Sequence, residues 1–218
     1  MKVLVFGASG MVGQGVLREC LLDARVERVL SIVRSTTGRQ HEKLRELVHA
    51  NFFDFSPLES ELLGFDACFF SLGVSAFGMN EESYRRVTYD MTMAAAQTLA
   101  RVNPGMTFIY VSGMGTNSSE HGRAMWARVK GATENALFRL PLKVYAFRPA
   151  VIVPLHGIRS KTTWYRLFYL AIAPLLPLLK VWFPRYVTTT EQVGRAMIKI
   201  AERGTSKRIL ENIEINTL

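Results

Sequence analysis

Two periods of apolar residues alternate along this chain. Apolar-rich stretches, several of them continuous apolar runs, predict strands at residues 2–6, 29–33, 47–53, 67–71, 107–112, 144–148 and 208–215. Between them, apolar side chains recur at helical spacing, as at Val16, Leu17, Cys20 and Leu21. That spacing predicts helices over 11–22, 81–102, 123–139 and 191–203. Thr189, with Gln192 three positions on, has the form of a capping box opening the last of these. Runs that are apolar at every position suit a parallel sheet covered on both faces. The βαβα order therefore predicts an α/β fold: a doubly wound, mostly parallel sheet of the Rossmann type, with right-handed crossovers.

The first run leads directly into Gly7-Ala8-Ser9-Gly10-Met11-Val12-Gly13 and then into a helix. A strand, a glycine-rich turn and a helix in that order are the setting of a dinucleotide site. The helix N-terminus offers free N–H groups and the positive end of its dipole to an anion. Gly7 and Gly10 let the backbone approach a pyrophosphate, and Gly13 lets the helix pack on the strand. Gly7, Ser9, Gly10, Met11, Val12 and Gly13 are accordingly candidate cofactor contacts.

In such a sheet, ligands lie beyond the carboxyl ends of the strands. About 20 residues past the glycines, an NAD site places a carboxylate on the ribose hydroxyls. Here the second predicted strand ends in Arg34-Ser35, followed by Thr36 and Thr37, with no carboxylate in the run. A guanidinium beside hydroxyls suits a 2′-phosphate. NADP(H) is therefore favoured, and NAD(H) remains open if Arg34 is only a surface residue. Asp54 and Phe55, placed at the third strand's end, either meet the adenine or form the turn Asp54-Phe-Ser-Pro57. Leu72 and Gly73 end the fourth strand, where Gly73 is read as close backbone approach or a plain loop glycine.

The 218-residue chain fits one domain over 1–218, with residues 154–190 forming a small apolar lobe. Net charge is +9, but the basic residues are dispersed and form no nucleic-acid module. The expected partner is a small-molecule substrate rather than nucleic acid. The two cysteines have neither disulfide nor zinc spacing. The first residues read as a strand rather than a signal peptide. A cytoplasmic location is the expectation. Within 164–183, residues 167–179 carry no charge and fall short of the ~20 apolar residues a membrane span needs. Pro174 and Pro177 interrupt them. The stretch is open to four readings: a buried lobe or dimer contact, a site for an apolar substrate, an apolar partner surface, or contact with a membrane surface, with Trp164, Arg166, Lys180 and Trp182 as flanking anchors.

Ser112 ends the fifth predicted strand, and Trp126 and Lys130 share a face of the following helix. With Gly7–Gly13, with Arg148-Pro-Ala-Val-Ile-Val153 and with the 191–202 helix, these residues resemble the short-chain dehydrogenase/reductases. The likeness is to an atypical branch that includes Tat-interacting oxidoreductase-like and bacterial sugar-nucleotide epimerase-like proteins. The resemblance spans essentially the whole chain. It implies an oxidoreductase in which Ser112 orients the substrate and Lys130 holds the nicotinamide ribose. It also implies that the segment with Pro149, Val151 and Ile152 passes under the nicotinamide. The usual catalytic tyrosine position holds Trp126, whose indole cannot shuttle a proton. Either another group supplies the proton, with His121 and a water on Lys130 or Ser112 as candidates, or the protein is an NADP(H)-binding sensor or scaffold with weak or no turnover.

Overall fold

A computed structural model describes residues 1–158 and 185–218. β1 (Lys2–Phe6) enters the turn and leaves as α1 (Met11–Leu22), both with the predicted bounds. β2 (Arg28–Val33) and β3 (Leu44–Val48) follow, then a short α2 (Glu59–Leu62) and β4 (Ala67–Phe70). α3 (Glu81–Arg85) runs through a π-type turn at Arg86–Asp90 into α4 (Met91–Val102). β5 (Thr107–Val111), α5 (Met125–Leu137) and β6 (Lys143–Arg148) complete the second half. The chain returns through β7 (Val151–Val153), β8 (Val187–Thr189), α6 (Thr190–Arg203), β9 (Ile209–Glu211) and α7 (Asn212–Thr217).

The main sheet has seven strands in the order β3-β2-β1-β4-β5-β6-β9, every pairing parallel. Side chains alternate across it, which explains the continuous apolar runs. Val3 and Val5 join the layer beneath α1 and α6, whereas Leu4 and Phe6 join the layer beneath α4. Phe69 and Ile109 face the first layer; Phe70 and Phe108 face the second. Each large side chain fully buried this way contributes about 1.5–3 kcal/mol. The order reverses between β1 and β4, so the crevice at that switch point opens beside the glycine turn.

Three expectations are corrected. The third strand is Leu44–Val48, not 47–53, because β2 pairs with it from Val29↔Leu44 to Val33↔Val48. Phe52 and Phe55 instead pack edge-on against Phe6, so the apolar signal at 52–55 came from core aromatics in a loop. The last strand stops at Glu211, where Glu211 and Glu214 form a reciprocal capping box that starts α7. Ile213 and Ile215, which read as strand alternation, are helical: Ile215 is buried and Ile213 exposed. At α6, Thr189 Oγ1 accepts from Gln192 N–H at 3.0 Å, but the Gln192 amide reaches Asn216 O. The cap there is one-sided. The small parallel pair β7–β8 was not anticipated. Most of the expected lobe at 154–190, including the whole 164–183 stretch, lies outside the described residues. Among the described residues, no helix is long and apolar enough to cross a membrane.

Candidate dinucleotide and catalytic site

The glycine turn is built as its spacing requires. Gly7 has φ +83°, and a Cβ there would lie 2.7 Å from the backbone of Ser71 and Leu72 at the end of β4. A Cβ on Gly13 would lie 2.0 Å from Gly7 O. Both glycines are therefore demanded by the protein itself. Gly10 is different: among the described residues a Cβ would meet only Gly7 O, at 3.3 Å, so none of them fills the space before it. Gly10 also N-caps α1 with no side-chain cap, leaving the first-turn N–H groups of Met11 and Val12 to a ligand. Ser9 is exposed at the turn's tip, and its carbonyl accepts from Gln14 Nε2. The residues present fit a pyrophosphate.

Beside this turn lies a groove of about 330 Å³, lined by Ser9, Gln14, Ser35, Thr36, Thr37 and Arg39 among others. Arg34 and Ser35 follow β2 and are exposed. Among the described residues, the guanidinium groups of Arg34 and Arg39 have no hydrogen-bonded or ionic partner. One expectation is corrected here. A carboxylate does reach this loop: Glu46 of β3 accepts from Thr36 Oγ1 at 2.7 Å and from Thr37 N and Oγ1 at 2.9 and 2.5 Å. These bonds hold the Glu46 carboxyl below the usual glutamate range against the cost of its partial burial. Glu46 and Arg39 were missed because neither lies in the run just after β2. Parallel pairing with β2, at Ser31↔Glu46, carries Glu46 there.

The adenine candidates divide. Asp54 Oδ1 accepts from Ser56 N at 2.9 Å, so it forms the turn. Those bonds hold its carboxyl below the usual aspartate range. Phe55 is 1% exposed and packs against Phe6, Phe52 and His49. Its ring belongs to the core and cannot flank an adenine. Phe53, 39% exposed beneath the Arg86 guanidinium, is the aromatic ring that faces outward there. Leu72 packs at the edge of the core, and Gly73 has open space around it.

At the end of β5, Ser112 is buried. Its N–H and its Oγ both donate to Phe147 O, at 2.9 and 3.1 Å. The hydroxyl is thus tied into the sheet, contrary to the expectation that it faces substrate. Lys130 Nζ donates to the Ser112 carbonyl and lies 6.0 Å from the centre of the Tyr110 ring. Burial pushes its ammonium down to about 8. Trp126, one turn earlier on α5, is half-buried and packs on Gly115, in the loop after β5. His121 is exposed in that loop. Tyr110 is 1% exposed, and burial raises its phenol, so it is no proton shuttle. Cys20 and Cys68 are free and buried, and burial raises both thiols, so neither is a nucleophile.

The segment after β6 also departs from expectation. Pro149 is buried, and its carbonyl accepts from Met114 N at 2.9 Å. Ala150 N donates to Asn212 Oδ1 and Val151 N to Tyr186 O. Ile152 is buried within β7. The N–H groups of Ala150 and Val151 are therefore spent inside the protein and are not free for a carboxamide. Behind them lies Arg148, at the end of β6. Its guanidinium donates to Glu134, which is fully buried, at 3.1 Å through Nε, and to Ser118 Oγ at 2.6 Å. A second carboxylate, Glu211, lies 3.4 Å from it. Glu134, one turn after Lys130, was the available signal.

No protein-family model and no curated protein matches the sequence. Solved structures do match the fold. WbmH of Bordetella bronchiseptica, an enzyme in complex with NAD+, matches with TM-score 0.68 at 16% identity, over 93% of this chain and 72% of that one. A dTDP-glucose 4,6-dehydratase from Streptomyces venezuelae (the DesIV double mutant), with NAD bound, matches at 0.68 and 16%, over 99% and 79%. A short chain dehydrogenase family protein from Francisella tularensis matches at 0.64 and 15%, over 93% and 91%. The chain has the Rossmann-like fold of nicotinamide-dinucleotide-binding proteins.

Proposed function

We propose that this protein is an NADP(H)-dependent oxidoreductase of the atypical short-chain dehydrogenase kind, acting on a small or apolar carbonyl or alcohol. The observation that carries this reading is the glycine turn, open in front of Gly10 and continuous with the groove of Ser9, Thr36, Thr37 and Arg39. Met11 and Val12 N–H groups would hold the pyrophosphate, and Lys130 the nicotinamide ribose. Arg34 and Arg39, which have no partner among the described residues, would take the 2′-phosphate. Glu46 stays ionised beside this loop, its oxygens bonded by Thr36 and Thr37, and the two guanidinium groups outweigh its single negative charge. When bound, the reduced nicotinamide supplies a hydride to the substrate carbon. The cysteines, both free and buried, fit a reducing cytoplasm.

A second reading is favoured by Trp126. Without an acid at that position, the protein binds NADP(H) as a sensor or scaffold and turns over little. Calorimetry with NADPH, followed by NADPH oxidation against a panel of carbonyls, separates the two. Turnover supports the first reading; binding without turnover on any carbonyl supports the second; no dinucleotide binding overturns both. For cofactor choice, Arg34→Glu is expected to weaken NADPH about 10- to 100-fold, as charged hydrogen bonds contribute about 1.5–3 kcal/mol. NADH affinity should change little. Equal losses for both would remove the 2′-phosphate assignment.

A further inference from the structure

We propose that Lys130 itself delivers the proton to the substrate oxygen, a role that rests on the oxidoreductase reading above. The site needs an acid, and three side chains beside the end of β5 do not supply one, while His121 is exposed in the loop beyond. The Ser112 hydroxyl is donated to Phe147 O, Tyr110 is sealed in the core, and Trp126 carries only an indole N–H. Lys130 is the one titratable side chain, among the described residues, hydrogen-bonded to the carboxyl end of β5.

Its surroundings also make it acidic. The acceptor it holds is a neutral carbonyl. The nearest carboxylate on its own helix, Glu134, is bound by both Nε and Nη2 of Arg148. From β5, Tyr110 offers only its ring, and Tyr84 of α3, whose charge would act on Tyr110, is a second phenol raised by burial. No ion pair anchors the ammonium among the described residues. Desolvation then dominates, and the group is poised near neutral pH, where a general acid works best. An ammonium has three N–H donors. One is held by Ser112 O, which leaves one for a ribose hydroxyl and one for the substrate.

In reduction, the carbonyl carbon accepts a hydride, which the reduced nicotinamide supplies. The carbonyl oxygen takes a proton from Lys130: one N–H bond breaks and one O–H bond forms. The neutral amine left behind is protonated again from water. Reduction therefore needs the ammonium. Its rate should be flat below about pH 8 and fall tenfold per unit above it. Alcohol oxidation should show the reverse, rising to a plateau above that pH.

The test has two arms. In the first, nitrogen NMR of the lysine side chains in the wild-type protein without cofactor should show one ammonium titrating near pH 8, absent from Lys130→Arg. If every lysine titrates above pH 10, the proposal is overturned. In the second, NADPH oxidation with phenanthrenequinone, an apolar dicarbonyl, is followed from pH 6 to 10. Arginine keeps the cation but does not give up its proton. Lys130→Arg should bind NADPH within about tenfold of wild type yet lose about 10²–10⁴-fold in kcat. Wild-type turnover with an undiminished Lys130→Arg variant sinks the proton role and leaves the oxidoreductase reading standing. NADPH binding with no wild-type turnover on any carbonyl sinks both.

Discussion

Gly13→Ala is expected to cost the protein its dinucleotide affinity and much of its stability together. The added methyl would lie 2.0 Å from Gly7 O, 2.5 Å from Gly7 C and 2.9 Å from Ala8 N. All three are backbone atoms. Gly7 cannot retreat, because its carbonyl accepts from Gly10 N at 2.9 Å and its Cα faces the end of β4. Either α1 lifts off β1 or the turn opens. Overpacking costs typically ~1–3 kcal/mol where side chains can adjust, and here only backbone is available to move, so the upper end is expected. Gly10→Ala is the matched control, since its Cβ meets one atom at 3.3 Å. That variant should keep a near wild-type urea midpoint while, on the proposed function, binding a nicotinamide dinucleotide more weakly. A Gly13→Ala protein that unfolds at the wild-type midpoint would contradict the close-packing account.

The second large effect is expected at Arg148→Met. Glu134 is fully buried, and Arg148 is its counter-charge. Removing one partner of a buried pair typically costs about 3–5 kcal/mol, because the other charge is left in a low-dielectric surrounding. Changing Glu134→Gln in the same chain should recover part of that loss, which a double-mutant cycle in urea would measure. Strictly additive losses would mean that the pair does not couple. Arg148 also holds Ser118, in the loop after β5. The single variant should therefore expose that loop to proteolysis faster than the rest of the chain.

Much of the fold is legible in the sequence wherever one physical demand dominates. β1, α1 and the glycine turn are read correctly because a strand buried on both faces, a positive φ and a close helix–strand contact each restrict the residue type. Legibility fails where two demands produce the same pattern. Phe52 looks like a strand residue because a loop aromatic that fills a core is as apolar as a buried strand. Ile213 and Ile215 look like strand alternation because a short helix can also bury one isoleucine and expose the other. The site shows the same limit. Contacts carried by one chain segment, such as Gly7 to Gly13, are visible in sequence. Contacts made across strands are not: Glu46 reaches Thr36 and Thr37 through parallel pairing, and Phe147 takes the Ser112 hydroxyl from the neighbouring strand. For Asp54 the sequence offered two roles, and the short bond to Ser56 N selects the turn.

β7 and β8 run parallel, with Val151 opposite Val187 and Val153 opposite Thr189. Strands paired this way need a crossover of about a dozen residues or more, so the connection between them has a lower limit in length. The ladder therefore works as a socket with fixed terminals. Whatever is spliced between residues 153 and 187 can be lengthened, shortened or exchanged while the glycine turn and the β5 terminus stay in register.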